Sequence, residues 1–235
     1  MDTGLNTDLY TAGSAAYLRL KGLILQGDVP IGVRLREARI AERLEISRTP
    51  VREALMRLYA ERFLERHPEG GYRVTAPSVQ TLRQLYEVRR ALELWGLAAS
   101  IARGKAAMTV LEELFQEWRD IASEVPAPDP ELVLIDEDFH QRLAQASGNG
   151  ELCVELQRVN ERIRPVRSHD FLTKDRIAAT IDEHLSILEA TLRQDQAGAH
   201  RLLDDHIKDS QDVVETAVVG ALEKMLVAER GGPAW

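Results

Sequence analysis

Residues Ile46 to Leu55 read ISRTPVREAL and place two arginines at the start of what should be a helix. Ser47 or Thr49 can supply a hydroxyl cap, and Pro50 is tolerated there because first-turn N–H groups have no partner inside a helix. Folding does not require Arg48 and Arg52, because cations at the positive end of a helix dipole work slightly against stability. They make sense if that end faces something negative. Lying one turn apart, both guanidiniums reach the same surface, and each fork matches guanine O6 and N7 or grips a phosphate. Ser47 and Thr49 can add hydroxyl and backbone N–H contacts to phosphate. The alternative is a solvated helix with scattered arginines.

The flanking residues frame this helix. AAYLRLKGLILQG carries Tyr17, Leu20, Leu23 and Ile24 at helical spacing, Gly27 stops it, and DVPIG is a turn. LREARIAERLEI is a second, short helix with Leu35, Ile40 and Leu44. In the third, Val51, Leu55, Leu58 and Tyr59 are expected to face inward. FLERHPEGGYRVT is two short alternating runs around a Pro/Gly turn, a β-hairpin. Three helices and a hairpin make a winged helix-turn-helix, whose recognition helix enters the major groove.

Composition is compatible with this reading. The 235 residues are 44% hydrophobic and 29% charged, as in an ordinary globular protein. Residues 1–77 hold 12 Lys+Arg against 10 Asp+Glu, whereas the rest holds 18 against 28. The net charge of −8 therefore sits in the second part, behind a modestly basic head. One cysteine, Cys153, excludes an internal disulfide framework. MDTGLNTDLY lacks the basic and apolar regions of a signal peptide, and no apolar run approaches the roughly 18 residues of a membrane span, so a cytoplasmic protein without a membrane partner is expected.

The block LREARIAERLEISRTPVREALMRLYAERFLERHPEGGYRV closely resembles the N-terminal winged helix of GntR-family bacterial transcription regulators, over roughly residues 15–76, and SRTPVREAL is among the most specific short signatures of that family. The resemblance implies operator contacts from Arg36, Ser47, Arg48, Thr49, Arg52 and Gly71. The sequence departs from the family pattern at Glu45, where a glycine normally allows a positive φ between the two helices. The wing keeps Gly70 and Gly71.

From Ser78 onward the periodic segments are helical: 80–103, 109–124, 131–147, 151–168, 174–194 and 196–228. Short breaks at GK, PAPDP, SGNG and QAG join them into an antiparallel helical bundle. The expected organisation is a mobile tail (1–14), a winged helix-turn-helix (15–77), an all-α bundle (78–229) and a C-terminal tail (230–235), mainly α overall.

Polar residues fall on faces of the bundle that should be core. Asp136 and His140 are one turn apart, in register with Leu132, Phe139 and Leu143. His184 shares a face with Ile181, Leu185 and Leu188, and His206 with Leu202, Leu203 and Ile207. One carboxylate and three imidazoles from three helices suit a divalent first-row transition metal. Core histidines that are merely hydrogen-bonded are the alternative. The pattern D-x-x-F-H…SGN…E-H…H, with RRALE at residues 89–93, resembles the FCD ligand-binding domain of FadR-type GntR regulators. The resemblance implies metal ligation by Asp136, His140, His184 and His206, with an organic-acid effector beside the metal; His67, His169 and His200 fall outside the pattern. Zinc is the first expectation, nickel or manganese the others.

A divalent cation with one Asp and three neutral His retains a charge of about +1, which selects an anion, most simply a carboxylate. Arg89 can add to this, with Asn160 and Arg164 as further candidates for the same cavity. The leading expectation is a homodimeric, metabolite-responsive regulator of double-stranded operator DNA. Two others stay open. One is a metalloenzyme acting on a small carboxylate, against which stand the absence of HExxH and of an obvious glutamate beside the metal motif. The other is a metal-free site in which the histidines bind the effector directly.

Overall fold

The computed structural model describes residues 4–25, 28–29, 31–75, 78–129, 131–167 and 173–228; for 4–12, 217 and 220–228 it describes the backbone alone. The chain divides into two compact units, residues 1–76 with 224–235, and residues 77–223.

In the first unit, α1 (Gly4–Leu25) is followed by β1 (Arg34–Leu35), α2 (Glu37–Leu44), α3 (Arg48–Ala60), β2 (Leu64–Arg66) and β3 (Tyr72–Val74). Helix α1 begins at Gly4, so most of the segment expected to be a tail is helical. The stop expected at Gly27 lies outside the described residues, and the helix ends at Leu25. The hairpin gains a third strand that the sequence reading missed. β1 pairs with β3, giving the antiparallel order β1-β3-β2 with Leu35 opposite Tyr72 and Leu64 opposite Val74. Tyr17, Leu20, Ile24, Ile40, Leu44, Val51, Leu55 and Leu58 form the core with the inward residues of the sheet. Tyr59 does not join them: it is exposed and tilts against the Tyr72 ring, with centroids 5.8 Å apart.

Two backbone positions shape this unit. Glu45 takes the left-handed conformation (φ 57°, ψ 39°) at the end of α2, its N–H reaching back to the Ala41 and Glu42 carbonyls. The turn geometry is thus kept without the glycine, at an expected cost of about 1–2 kcal/mol. Gly71 sits at φ +83°, and a Cβ there would lie 2.7 Å from the Leu35 carbonyl oxygen. The wing turn and the β1–β3 approach both need that glycine.

The second unit is helical throughout its described elements: α4 (Val79–Arg103), α5 (Lys105–Ser123), α6 (Leu132–Gln145), α7 (Gly150–Arg167), α8 (Lys174–Leu192) and residues 196–223 of α9 (Gln196–Ala228). The observed bounds of α5 start four residues before the expected 109, and the other helices of the bundle agree within two residues. Ser78 caps α4 by accepting the Thr81 N–H, and Thr173 caps α8 by accepting the Arg176 N–H. Core side chains recur every three or four residues on each helix: Val133, Asp136, Phe139, His140 and Leu143 on α6, and Ile177, Ile181, His184 and Leu188 on α8. On α9, Leu203, His206 and Ile207 are inward, whereas Leu202 is exposed and Leu185 on α8 only partly buried. The same periodicity that builds the core therefore carries the polar residues into it.

Candidate metal centre and nucleic-acid interface

Asp136, His140, His184 and His206 are all buried, and one donor atom from each lies within 4.8 Å of the others. The His206 Nε2 stands 3.2 Å from both the His184 Nε2 and the His140 Nε2. The Asp136 oxygens are 3.6 Å from the Nε2 atoms of His140 and His184. Three helices supply the cluster, two of its members from adjacent turns of α6. Phe139 stacks flat on His184 (centroids 3.6 Å, 5° between planes), and the Trp118 edge meets the same ring.

The tautomers follow from what stands behind the rings. Glu93 Oε2 accepts from His140 Nδ1 at 2.5 Å, and Glu183 Oε2 accepts from His206 Nδ1 at 2.6 Å. With Nδ1 as the donor, each ring turns a bare Nε2 lone pair toward the other at 3.2 Å. No proton is left to join those two atoms while both rings are neutral. For metal–nitrogen bonds of ~2.0–2.1 Å, the distance between two ligand nitrogens is ~3.0 Å at a right angle and ~3.4 Å at the tetrahedral angle. The observed spacing falls between them, so the donor set fits a divalent cation.

Electrostatics keep the donors available. Burial lowers His140, to about 4, against the opposing pull of Glu93, and lowers His184 well below the ordinary imidazole value. Burial pushes the Asp136 carboxyl up, but Arg167, His140 and His184 outweigh it and hold it well below the carboxylate range. The same competition, won by His140 and Arg89, leaves Glu93 at about 2.

The expected effector residues separate. Arg89 is fully buried, its Nε donating to Glu93 Oε1 at 2.6 Å, while Nη1 and Nη2 have no hydrogen-bond partner among the described residues. Asn160 is also buried, and neither amide atom has a partner among them. Arg164 is different: its guanidinium forks onto Glu137 at 2.9 and 2.5 Å and is already neutralised. Arg167, Glu93 and Glu183 were missed as site residues. Arg167 donates to Asp136 Oδ2 at 2.5 Å. Glu93 closes the RRALE motif, so its position was visible but not its partner. Glu183 neighbours His184 in sequence but serves His206 on the facing helix. His67 and His200 are not among the clustered donors, and His169 lies outside the described residues. Beside Asp136, a narrow pocket of about 20 Å³ is walled by Trp118, Leu132, Ile135 and Ile181.

In the first unit Ser47 occupies the N-cap of α3 in extended conformation but makes no side-chain cap bond, so the expected hydroxyl cap is not formed by Ser47. Ser47, Arg48, Thr49 and Arg52 are all exposed, as is Arg36 at the N-cap of α2. Arg52 is held by Glu37, with Nε and Nη2 3.2 and 3.0 Å from its oxygens. No ion pair engages Arg48 among the described residues.

A helix-turn-helix with a wing, followed by a helical bundle carrying a buried Asp/His cluster, is the architecture of a DNA-binding transcriptional regulator. Family comparison agrees: residues 12–74 match the bacterial regulatory proteins of the gntR family, and residues 84–209 match the FCD domain. The chain belongs to the GntR family of transcriptional regulators, in the group with an FCD domain. It is 32% identical over 203 residues to the Nta operon transcriptional regulator of Aminobacter aminovorans, covering 86% of this chain and 94% of that one. The transcriptional repressor GlaR of Escherichia coli is 25% identical, with 87% and 96% covered. These relatives are named regulators, and the chain is a transcriptional regulator and not an enzyme. Among solved structures, E. coli McbR/YncC shares the fold with a TM-score of 0.69 at 22% identity, over 87% of this chain and 97% of that one. The metal-free FCD domain of TM0439 is similar with a TM-score of 0.52 at 22% identity, over 62% of this chain and 99% of that one. No described helix is long and apolar enough to cross a membrane.

Proposed function

We propose that this regulator reads a two-fold operator as a homodimer and is modulated by a small carboxylate bound beside a divalent metal. Asp136, His140, His184 and His206 would hold the metal, zinc first and nickel or manganese next. The observation that carries this is the meeting of the His140 and His206 Nε2 atoms at 3.2 Å with both Nδ1 protons committed to glutamates. A cation removes that lone-pair conflict, and the metal when bound would offer open coordination positions to an anionic ligand.

Charge argues for the anion. Without a cation, Arg89 and Arg167 are balanced by Glu93 and Asp136. A divalent ion then leaves an excess of about +2 in a buried site, and burial of uncompensated charge is costly. A carboxylate reduces that excess, and the Nη1 and Nη2 donors of Arg89 and the amide of Asn160 are left to receive it. Arg164, engaged by Glu137, contributes less. Glu93 and Glu183 face the Nδ1 side of their rings, away from the metal side, so they orient ligands where an enzyme would need a base beside bound water. In the first unit, Arg48 and Arg52 would contact operator bases or phosphates, with Arg36, Ser47, Thr49 and Gly71 beside them.

A carboxylate that changes DNA affinity must bind one arrangement of the bundle better than another. The test is titration of candidate carboxylates with and without operator DNA, in wild type and in Asp136→Ala. The coupling should be about 1–3 kcal/mol and reciprocal in wild type, and lost in the variant while DNA binding persists. Equal carboxylate affinity with and without operator removes the regulatory link.

A further inference from the structure

The three imidazoles of the cluster are not held alike. His140 and His206 each give the Nδ1 proton to a glutamate, which fixes both the plane of the ring and the nitrogen that carries the proton. His184 has no such partner: its Nδ1 is buried and makes no hydrogen bond among the described residues. The Thr180 hydroxyl, one turn earlier on α8, is buried and unpaired among them as well, so it does not serve that nitrogen. Aromatic rings hold His184 instead. Phe139 lies flat on it, with centroids 3.6 Å apart and 5° between planes, and Trp118 meets it edge-on at 4.3 Å. Trp118 also meets Phe139 edge-on, at 5.4 Å, and both are buried. Such a stack fixes the plane of an imidazole but does not decide which nitrogen carries the proton.

The neighbours of Nε2 decide it. A neutral imidazole has one ring proton. On Nδ1 that proton would leave a buried N–H without an acceptor, and the Nε2 atoms of all three histidines would turn bare lone pairs toward one another. On Nε2 it makes a bond, because His206 Nε2 stands 3.2 Å away with its own ring proton committed to Glu183. Without a cation, then, His184 donates to His206 and ties α8 to α9. To serve as a metal ligand through the same atom, His184 must bare Nε2. One proton leaves Nε2, one is taken up at Nδ1, and the ring is neutral before and after.

We propose that His184 is the donor that changes tautomer as the metal site fills, whereas His140 and His206 are preset, and that Phe139 is the positioning residue that keeps the His184 ring aimed through the change. This rests on the metal reading above. In the filled site His184 alone of the three is left with a buried Nδ1–H that has no acceptor, so it is the most weakly held ligand.

Long-range proton–nitrogen NMR correlation on the full chain with nitrogen-15-labelled histidine tests the tautomers, on stripped protein and after zinc, with His184→Gln to assign the signals. Stripped protein should carry the proton on Nδ1 in His140 and His206 and on Nε2 in His184. With zinc, His184 should move to Nδ1 and the other two should keep theirs. His184 already on Nδ1 in stripped protein, or still on Nε2 with zinc bound to the other two, overturns the tautomer change and leaves the metal reading standing. No change at any of the three with zinc overturns both. Phe139→Leu and Phe139→Met test the positioning through zinc titration and the visible absorption of bound cobalt(II), which reports the donor set. With far-UV circular dichroism unchanged, zinc affinity should fall about tenfold or more, and the cobalt bands should approach those of His184→Gln. Wild-type cobalt bands in a folded Phe139 variant, whatever its zinc affinity, mark a packing role only and overturn the positioning.

Discussion

The carboxylate of Glu93 joins Arg89 to His140: Oε1 receives the Arg89 Nε–H at 2.6 Å, and Oε2 stands 2.5 Å from His140 Nδ1. One buried side chain therefore fixes the tautomer of a candidate metal ligand and holds the arginine best placed to receive an anion.

That linkage makes Glu93→Gln informative. The amide keeps the shape but loses the charge that makes Nε2 a stronger donor. Metal affinity should fall about 10–100-fold, as is usual when a partner behind a ligand histidine is changed. Glu183→Gln, acting on His206, should lower it in the same direction. Isothermal titration of zinc into stripped protein measures both, and unchanged affinity in both would remove the orienting role.

Stability should fall with acid in the metal-free protein. Burial brings His140 down to about 4 in the folded chain, while an unfolded imidazole titrates near its model value of 6.5. Between those values the unfolded state takes up a proton that the folded state does not, so stability is lost as pH drops through that window. Glu93, at about 2 against a model value of 4.5, extends the loss to lower pH. Urea unfolding of stripped protein should show lower stability at pH 5 than at pH 7.5. A constant or rising stability toward acid would contradict the buried, neutral imidazole.

Glu45→Gly should stabilise the first unit by about 1 kcal/mol, because it relieves a left-handed glutamate (φ 57°), partly offset by the extra freedom glycine gives the unfolded chain. Glu45 is exposed and so gives up little packing. Thermal unfolding measures the shift, and a lower midpoint would mean the glutamate side chain contributes more than its backbone strain costs.

The two arginines of α3 should behave differently. Arg48→Ala should weaken operator binding by about 1–3 kcal/mol if its contact is a bidentate base contact. Arg52 must first leave Glu37, so Glu37→Ala should tighten binding, and should do so only while Arg52 is present. Fluorescence anisotropy with the single and double variants measures this. Wild-type affinity in both arginine variants would show that α3 is not the reading helix.

Much of the fold was legible because helix periodicity and hydrophobic burial are local signals. The Asp136–His140 spacing, and the inward faces of His184 and His206, followed from the same 3.6-residue repeat that placed their apolar neighbours. What escaped was non-local. The two-residue strand β1 exists only because β3 offers it an edge, and Arg34–Leu35 carries no alternation of its own. Tyr59 has inward spacing yet stays exposed, its ring tilted against Tyr72 of β3 and under the Arg66 guanidinium, contacts that spacing along α3 does not report. Arg167 and Glu183 reach their partners across helices, and spacing along one helix cannot report what a neighbouring helix presents.

The most direct measurement is metal analysis by inductively coupled plasma mass spectrometry on protein purified without added metal, followed by zinc titration of stripped protein. The account predicts about one divalent ion per chain, or uptake of one with a rise in melting temperature. Asp136→Ala and His184→Ala should reduce both metal content and the melting shift. Wild-type protein that carries no metal, and whose melting temperature does not move with zinc, nickel or manganese, would contradict the metal centre at Asp136, His140, His184 and His206.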